Sequence, residues 1–197
     1  ATSFDGLDVK ECRVIFGKND MKYNELIGLW EYAFQMLYEN DMALFDTDVQ
    51  ERAIAGRLAI YLQYGYDKHF EKDACIDLEY NRDGTGIKRP HPRDDDGWIA
   101  PDILLHVRKT DINIFYCEVK KKSTEANEDS TRVKDAIRER KYQYGLNLYY
   151  IRENEARLSI YDECDGMIRQ SEYFYDKYSK TLNKTNIAQY WVKGNRK

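Results

Sequence analysis

The chain has 197 residues, of which 42% are hydrophobic and 34% charged, with a formal net charge of −4. This length suits a single α/β core with additions, and the acidic balance excludes a protein that coats nucleic acid by bulk positive charge. No apolar run approaches the roughly 18 residues of a membrane span and no cleavable signal pattern opens the chain, so the expectation is a cytoplasmic protein with no membrane partner.

Tyrosine is the unusual component: 17 residues against 7 phenylalanines. Its ring is apolar and its tip polar, which suits wet interfaces and stacking surfaces. The four cysteines, Cys12, Cys75, Cys117 and Cys164, form no CxxC pair and are expected to be reduced core thiols, with no zinc site. The last 21 residues carry six Lys/Arg and no Asp or Glu, a local basic segment within an acidic chain.

In chain order, residues 21–40 place Tyr23, Leu26, Ile27, Trp30, Ala33, Phe34 and Leu37 at helical spacing. A second helix is predicted from a cap at Thr47 or Asp48 to about Gln63, with Gly65 stopping it. Ile54, Leu58 and Leu62 share one face of that helix, and Glu51 lies one turn earlier on the same stripe. Residues 75–80 read as a strand, and 81–98, rich in Gly, Pro and charge, as a loop. Strands follow at 101–107 and 112–119, then a helix at about 129–141, then strands at 144–151 and 156–162. The C-terminal part is predicted to be helical in pieces. The division expected is an N-terminal helical extension (1–46), a core (47–165) and a basic, partly helical segment (166–197). Helices and strands in this order give an α/β sheet with helices packed on it.

The segment PDILLHVRKTDINIFYCEVKKKS, residues 101–123, carries the chemistry. Two core-like strands each hold a carboxylate, and an isolated ionised carboxylate strongly disfavours a low-dielectric site. In an antiparallel hairpin centred on Thr110, Asp102 falls opposite Glu118. Directly opposed residues have Cβ atoms about 5 Å apart, so the two acids repel unless a cation lies between them. Strand alternation puts Lys120 on the face of Glu118. Paired carboxylates are hard oxygen ligands that suit Mg²⁺ or Mn²⁺, and a nearby ammonium orients water and offsets charge developing on phosphorus. Hydrolysis of a phosphodiester is the chemistry implied.

Pro101-Asp102, fifteen intervening residues and Glu118-Val119-Lys120 resemble the motif of the PD-(D/E)xK nuclease superfamily. The resemblance covers about residues 47–162: a Glu-bearing helix, a strand, the motif hairpin, a helix and a returning strand. It implies a restriction-endonuclease-like mixed central sheet flanked by helices, and a Mg²⁺- or Mn²⁺-dependent endonuclease or exonuclease acting on DNA or RNA. It further implies that Asp102 and Glu118 ligate the metal, that Glu51 adds a further acid, that the Val119 carbonyl joins the metal shell and that Lys120 positions the water. Gln143 and Tyr144 resemble in placement a Gln/Tyr feature of some branches, at a different spacing.

Other charged groups have plainer readings. Asp94–Asp96 are consecutive loop acids that converge poorly on one ion. Asp77 and Glu79 share a strand face and have arginines to pair with. His69, His91 and His106 show no ligand spacing, and His106 reads as a satisfied strand histidine. Lys121 and Lys122 face solvent or phosphate. Arg132, Lys134, Arg138, Arg140 and Lys141 decorate the helix whose other face holds Val133 and Ile137. Two competing functions stay open: a catalytically inactive nucleic-acid-binding or protein-assembly module on the same fold, and an oligomeric scaffold using its tyrosines. The oligomeric state is open too, a homodimer included.

Overall fold

The structure is a computed structural model of the chain, and it describes residues 20–46, 51–70, 73–79, 82–83, 86–87, 100–120 and 127–191. The elements are α1 (Tyr23–Asn40), α2 (Ala43–Asp46), α3 (Glu51–His69), β1 (Cys75–Leu78), β2 (Arg82–Asp83), β3 (Gly86–Ile87), β4 (Ile103–His106), β5 (Asn113–Lys120), α4 (Asn127–Arg140), β6 (Tyr144–Ile151), β7 (Glu155–Cys164), β8 (Met167–Asp176) and β9 (Thr181–Trp191). Seven strands form one sheet in the order β1-β4-β5-β6-β7-β8-β9, and β2 and β3 make a separate small ladder. Neighbouring strands of the large sheet are antiparallel except β5 and β6, which run parallel. A parallel pair needs a crossover connection, and α4 supplies it.

Helices α1 and α3 cover one face of the sheet. Trp30, Phe34, Ile54, Leu58 and Leu62 pack there against Ile103, Leu105, Phe115, Cys117, Leu146 and Leu158, all fully buried. Helix α4 covers the other face, where Val133, Ala136 and Ile137 meet Leu104, Tyr116, Tyr161 and Ile168. Alternation along β5 therefore directs Cys117 and Val119 toward α1 and α3, and Tyr116 and Glu118 toward α4.

Gly65 does not stop the second helix, which runs on to His69. A Cβ at this position would stand 2.7 Å from Tyr32 Cδ1 and 3.1 Å from Leu29 Cδ1. The glycine thus marks a close approach of α3 to α1, and a helix tolerates one glycine where packing requires it. The capping candidates Thr47 and Asp48 lie outside the described residues.

The C-terminal part is not helical where it is described. It forms β8 and β9, which extend the sheet beyond β7. Burial along β8 picks out Ile168, Ser171, Tyr173 and Tyr175, and the last three of these alternate with period two. Serine and tyrosine carry that period poorly on a hydrophobicity scale, which hid the strand. The cysteine expectation also changes: Cys75 and Cys117 are free thiols, but Cys164 is disulfide-bonded. Cysteine spacing along a chain signals CxxC-type sites and is blind to bridges between distant residues.

Candidate active site

The hairpin register at the site end is the one expected. Ile103 pairs with Cys117, Leu104 with Tyr116 and Leu105 with Phe115; a shift follows only between Leu105 and His106, toward the turn. Asp102 precedes the first paired residue of β4 and falls level with Glu118. Its Oδ2 accepts a hydrogen bond from the Val119 backbone N–H at 2.7 Å, which fastens the β4 entry to β5.

Glu118 is 4% exposed, an unusual state for a carboxylate. The Tyr116 hydroxyl, two residues back on the same face, donates to Glu118 Oε1 at 2.5 Å. The Glu118 side chain also acts on the Asp102 carboxyl. Burial pushes the Asp102 carboxyl above the usual aspartate range; the Val119 N–H, Lys120 and Glu118 act in the opposite direction, and Glu51 adds to the rise. Glu51 and Lys120, half-buried, thus both act electrostatically on Asp102. Glu51 comes from the first turn of α3 and Lys120 from the end of β5.

The structure therefore brings Asp102, Glu118, Lys120 and Glu51 into one electrostatic neighbourhood, with the Val119 backbone bonded to its centre. The donor set fits a hard divalent cation: two neighbouring carboxyls and a third acid acting on them. Asp102, Glu118, Glu51 and the Val119 carbonyl are the groups available to hold one.

Sequence reasoning missed Asn147. It lies beside Glu118 across the parallel β5/β6 pair and is 1% exposed. Neither its Oδ1 nor its Nδ2 has a hydrogen-bond partner among the described residues. Leaving a buried amide unsatisfied costs of order 1–3 kcal/mol, and Asn147 carries that cost directly beside Glu118. The signal was present as a lone Asn inside YGLNLYYI, but only the strand pairing reveals what it adjoins.

Several candidates belong elsewhere. Asp77 is bound by the Arg108 guanidinium, with Nε at 2.8 Å, and by His106 Nε2 at 2.9 Å. Arg108 first, then His106, holds its carboxyl down at about 2 against the cost of burial. Cys75 Sγ lies 3.7 Å from the same carboxylate, and the ligand atoms of Cys75, Asp77 and His106 fall within 4.8 Å of one another. A metal there would have to displace the arginine, and burial raises the Cys75 thiol away from the thiolate a metal needs. The trio is a charge-compensated structural cluster. Glu79 pairs with Arg52 at 2.8 Å on the surface.

Gln143 and Tyr144 serve the other face. The Gln143 amide accepts the Met21 N–H at 2.9 Å and donates to the Met21 carbonyl, which also receives the Tyr144 hydroxyl at 2.8 Å. They clamp the start of α1 to β6 and take no part in the acidic site. On α4, Val133 and Ile137 are buried, Lys134 lies over the Tyr161 ring at 5.4 Å and Arg138 faces Asp135 at 3.8 Å. Lys121, Lys122, His91 and Asp94–Asp96 lie outside the described residues.

Comparison of the chain with protein-family models, curated proteins and solved structures yields no match. The fold stands as α/β, a seven-stranded mixed sheet flanked by helices.

Proposed function

We propose that this chain is a divalent-metal-dependent nuclease with a restriction-endonuclease-like core, hydrolysing phosphodiester bonds of DNA or RNA at a PD-(D/E)xK site. The observation that carries the reading is the Asp102 carboxylate, bonded to the Val119 N–H, in contact with Glu118 and under the charges of Lys120 and Glu51. The core order α3, β1, β4, β5, α4, β6 is the order that the motif's resemblance implies. No membrane-spanning helix is found among the described residues.

Asp102 and Glu118 would hold the cation, Mg²⁺ or Mn²⁺, with the Val119 carbonyl and Glu51 as further oxygen donors. When bound, such an ion supplies Lewis-acid stabilisation of charge on the phosphoryl oxygens. Lys120 Nζ donates hydrogen bonds to the attacking water and to a phosphate oxygen, fixing their approach and offsetting negative charge. Tyr116 fixes the Glu118 carboxylate through Oε1.

Purified protein incubated with labelled single- and double-stranded DNA and RNA in Mn²⁺ is the test. Cleavage is expected, and Asp102→Ala, Glu118→Ala and Lys120→Ala should each abolish it. Undiminished cleavage by Lys120→Ala protein rules out the assigned mechanism. Nucleic-acid binding without cleavage, and without any Mn²⁺-induced rise in melting temperature, would instead establish the inactive binding module.

A further inference from the structure

Beside the acidic site, strand pairing lays two rows of side chains across the α4 face of the sheet. The first runs from Glu118 through Asn147 and Ser159 to Glu172. The second runs from Lys120 through Tyr149 and Arg157 to Phe174. The buried Asn147 and Ser159 close the first row, but the far end of both rows opens into a cleft of about 370 Å³, lined among others by Tyr149, Glu155, Arg157, Glu172, Phe174 and Thr185. This volume lies in the range of small-ligand pockets, enough for one planar group and far too small for a duplex.

The chemistry of the walls selects the group. Phe174 and Tyr149 are half-exposed aromatic rings, and every nucleobase has a face that stacks on such rings. Glu172 is fixed in place: Ser159 Oγ donates to Oε1 and Tyr149 Oη to Oε2, each at 2.7 Å, and the Gln170 amide also donates to Oε1. A carboxylate has about four acceptor sites, so Oε2 retains capacity for a further donor. With Glu155 on the same wall, the cleft repels a phosphate and favours a ligand edge that donates hydrogen bonds. Arg157, exposed at the rim and 3.7 Å from Glu155, is the cation within reach of a backbone phosphate. The span from Lys120 to Phe174 is three strand spacings, roughly 14 Å, a distance within reach of a nucleotide close to the cleaved bond.

We infer that this cleft binds an unpaired nucleobase carrying an exocyclic amine, from a nucleotide flanking the scissile phosphate, and that the substrate is single-stranded there. The inference rests on the nuclease reading and narrows its substrate. A Watson–Crick edge is available to Glu172 only when the base is unpaired, and thymine and uracil present carbonyl oxygens where adenine and cytosine present an amine.

The test is anisotropy of short labelled oligonucleotides in EDTA, where nothing is cut. Oligo-A and oligo-C, as DNA or RNA, are expected to bind at least tenfold more tightly than oligo-T or oligo-U and than a duplex of the same length. Phe174→Ala should weaken oligo-A binding about tenfold, the scale of one lost stack, and Thr185→Trp, which fills the cleft from its exposed rim, should block it. Glu172→Gln should erase the preference for A and C over T while keeping the stacking contribution. Equal affinity for A, C and T overturns the inference, as does preferred binding of duplex. Undiminished oligo-A binding in both Phe174→Ala and Thr185→Trp proteins with native melting curves does so as well. Cleavage in Mn²⁺ is read separately: a wild-type chain that cuts without base preference refutes the cleft alone, and one that binds with the preference but never cuts refutes the nuclease reading.

Discussion

Asp102 Oδ2 accepts the Val119 N–H at 2.7 Å, so a residue just before one strand is anchored to the backbone between the acid and the lysine of the next. That bond holds Asp102 level with Glu118, and burial penalises the charged form of its carboxyl. A cation at this carboxyl competes with protons for it. Mn²⁺ affinity is therefore expected to fall as pH decreases, and titration calorimetry in buffers of different ionisation enthalpy should report net proton release. An affinity independent of pH would contradict a metal site at Asp102.

Asp102→Asn removes a carboxyl whose charged form is penalised by burial while keeping an acceptor for the Val119 N–H. At neutral pH and without metal, the variant is expected to melt at or above the wild-type temperature. With millimolar Mn²⁺ the order should reverse, because only the wild type gains stability by binding the ion. Melting curves with and without Mn²⁺ check both halves.

Glu51→Gln keeps the size of the side chain and deletes its charge near Asp102. Mn²⁺ affinity is expected to drop by about tenfold, the lower end of what supporting groups around a metal contribute, with the fold intact. An unchanged affinity would remove Glu51 from the site.

Much of this site was readable along the chain, and the reasons are local. Hairpin pairing between Ile103 and Cys117 follows from two apolar runs and a short turn, and an acid such as Glu118 inside NIFYCEVK stands out against its neighbours. Asn147 was not readable because its meaning lies in a parallel pairing made through a helical crossover. Gly65 misled because a helix–helix contact, not a chain terminus, demanded it. The strand β8 escaped because tyrosine and serine fill its inward positions, and Gln143 and Tyr144 were displaced from the site because their side chains face α1.

Gly145→Ala tests how α4 is seated. A Cβ at Gly145 would lie 2.9 Å from the Val133 carbonyl oxygen and run into the Val133 side chain, so helix and sheet must part. Such overpacking costs about 1–3 kcal/mol, measurable as a lower urea midpoint. Activity should fall along with stability, since α4 covers Tyr116 and hence supports Glu118.

Asp77 provides the pH dependence at the other end of β4. Its folded pKa of about 2 lies below the ordinary aspartate value, so its contribution is present above about pH 4 and is lost as pH falls through about 2. Asp77→Asn is expected to cost about 1–2 kcal/mol at pH 7, reduced from the full shift because Arg108 is half exposed to solvent. The difference from wild type should vanish near pH 2 in urea melts.

The clamp of Gln143 and Tyr144 on Met21 joins residues 122 and 123 positions apart. During synthesis the N-terminal helix emerges long before its anchor exists, and it can pair with α3 but cannot be locked to the sheet. Stalled nascent chains should therefore leave α1 open to protease until β6 has cleared the ribosomal tunnel.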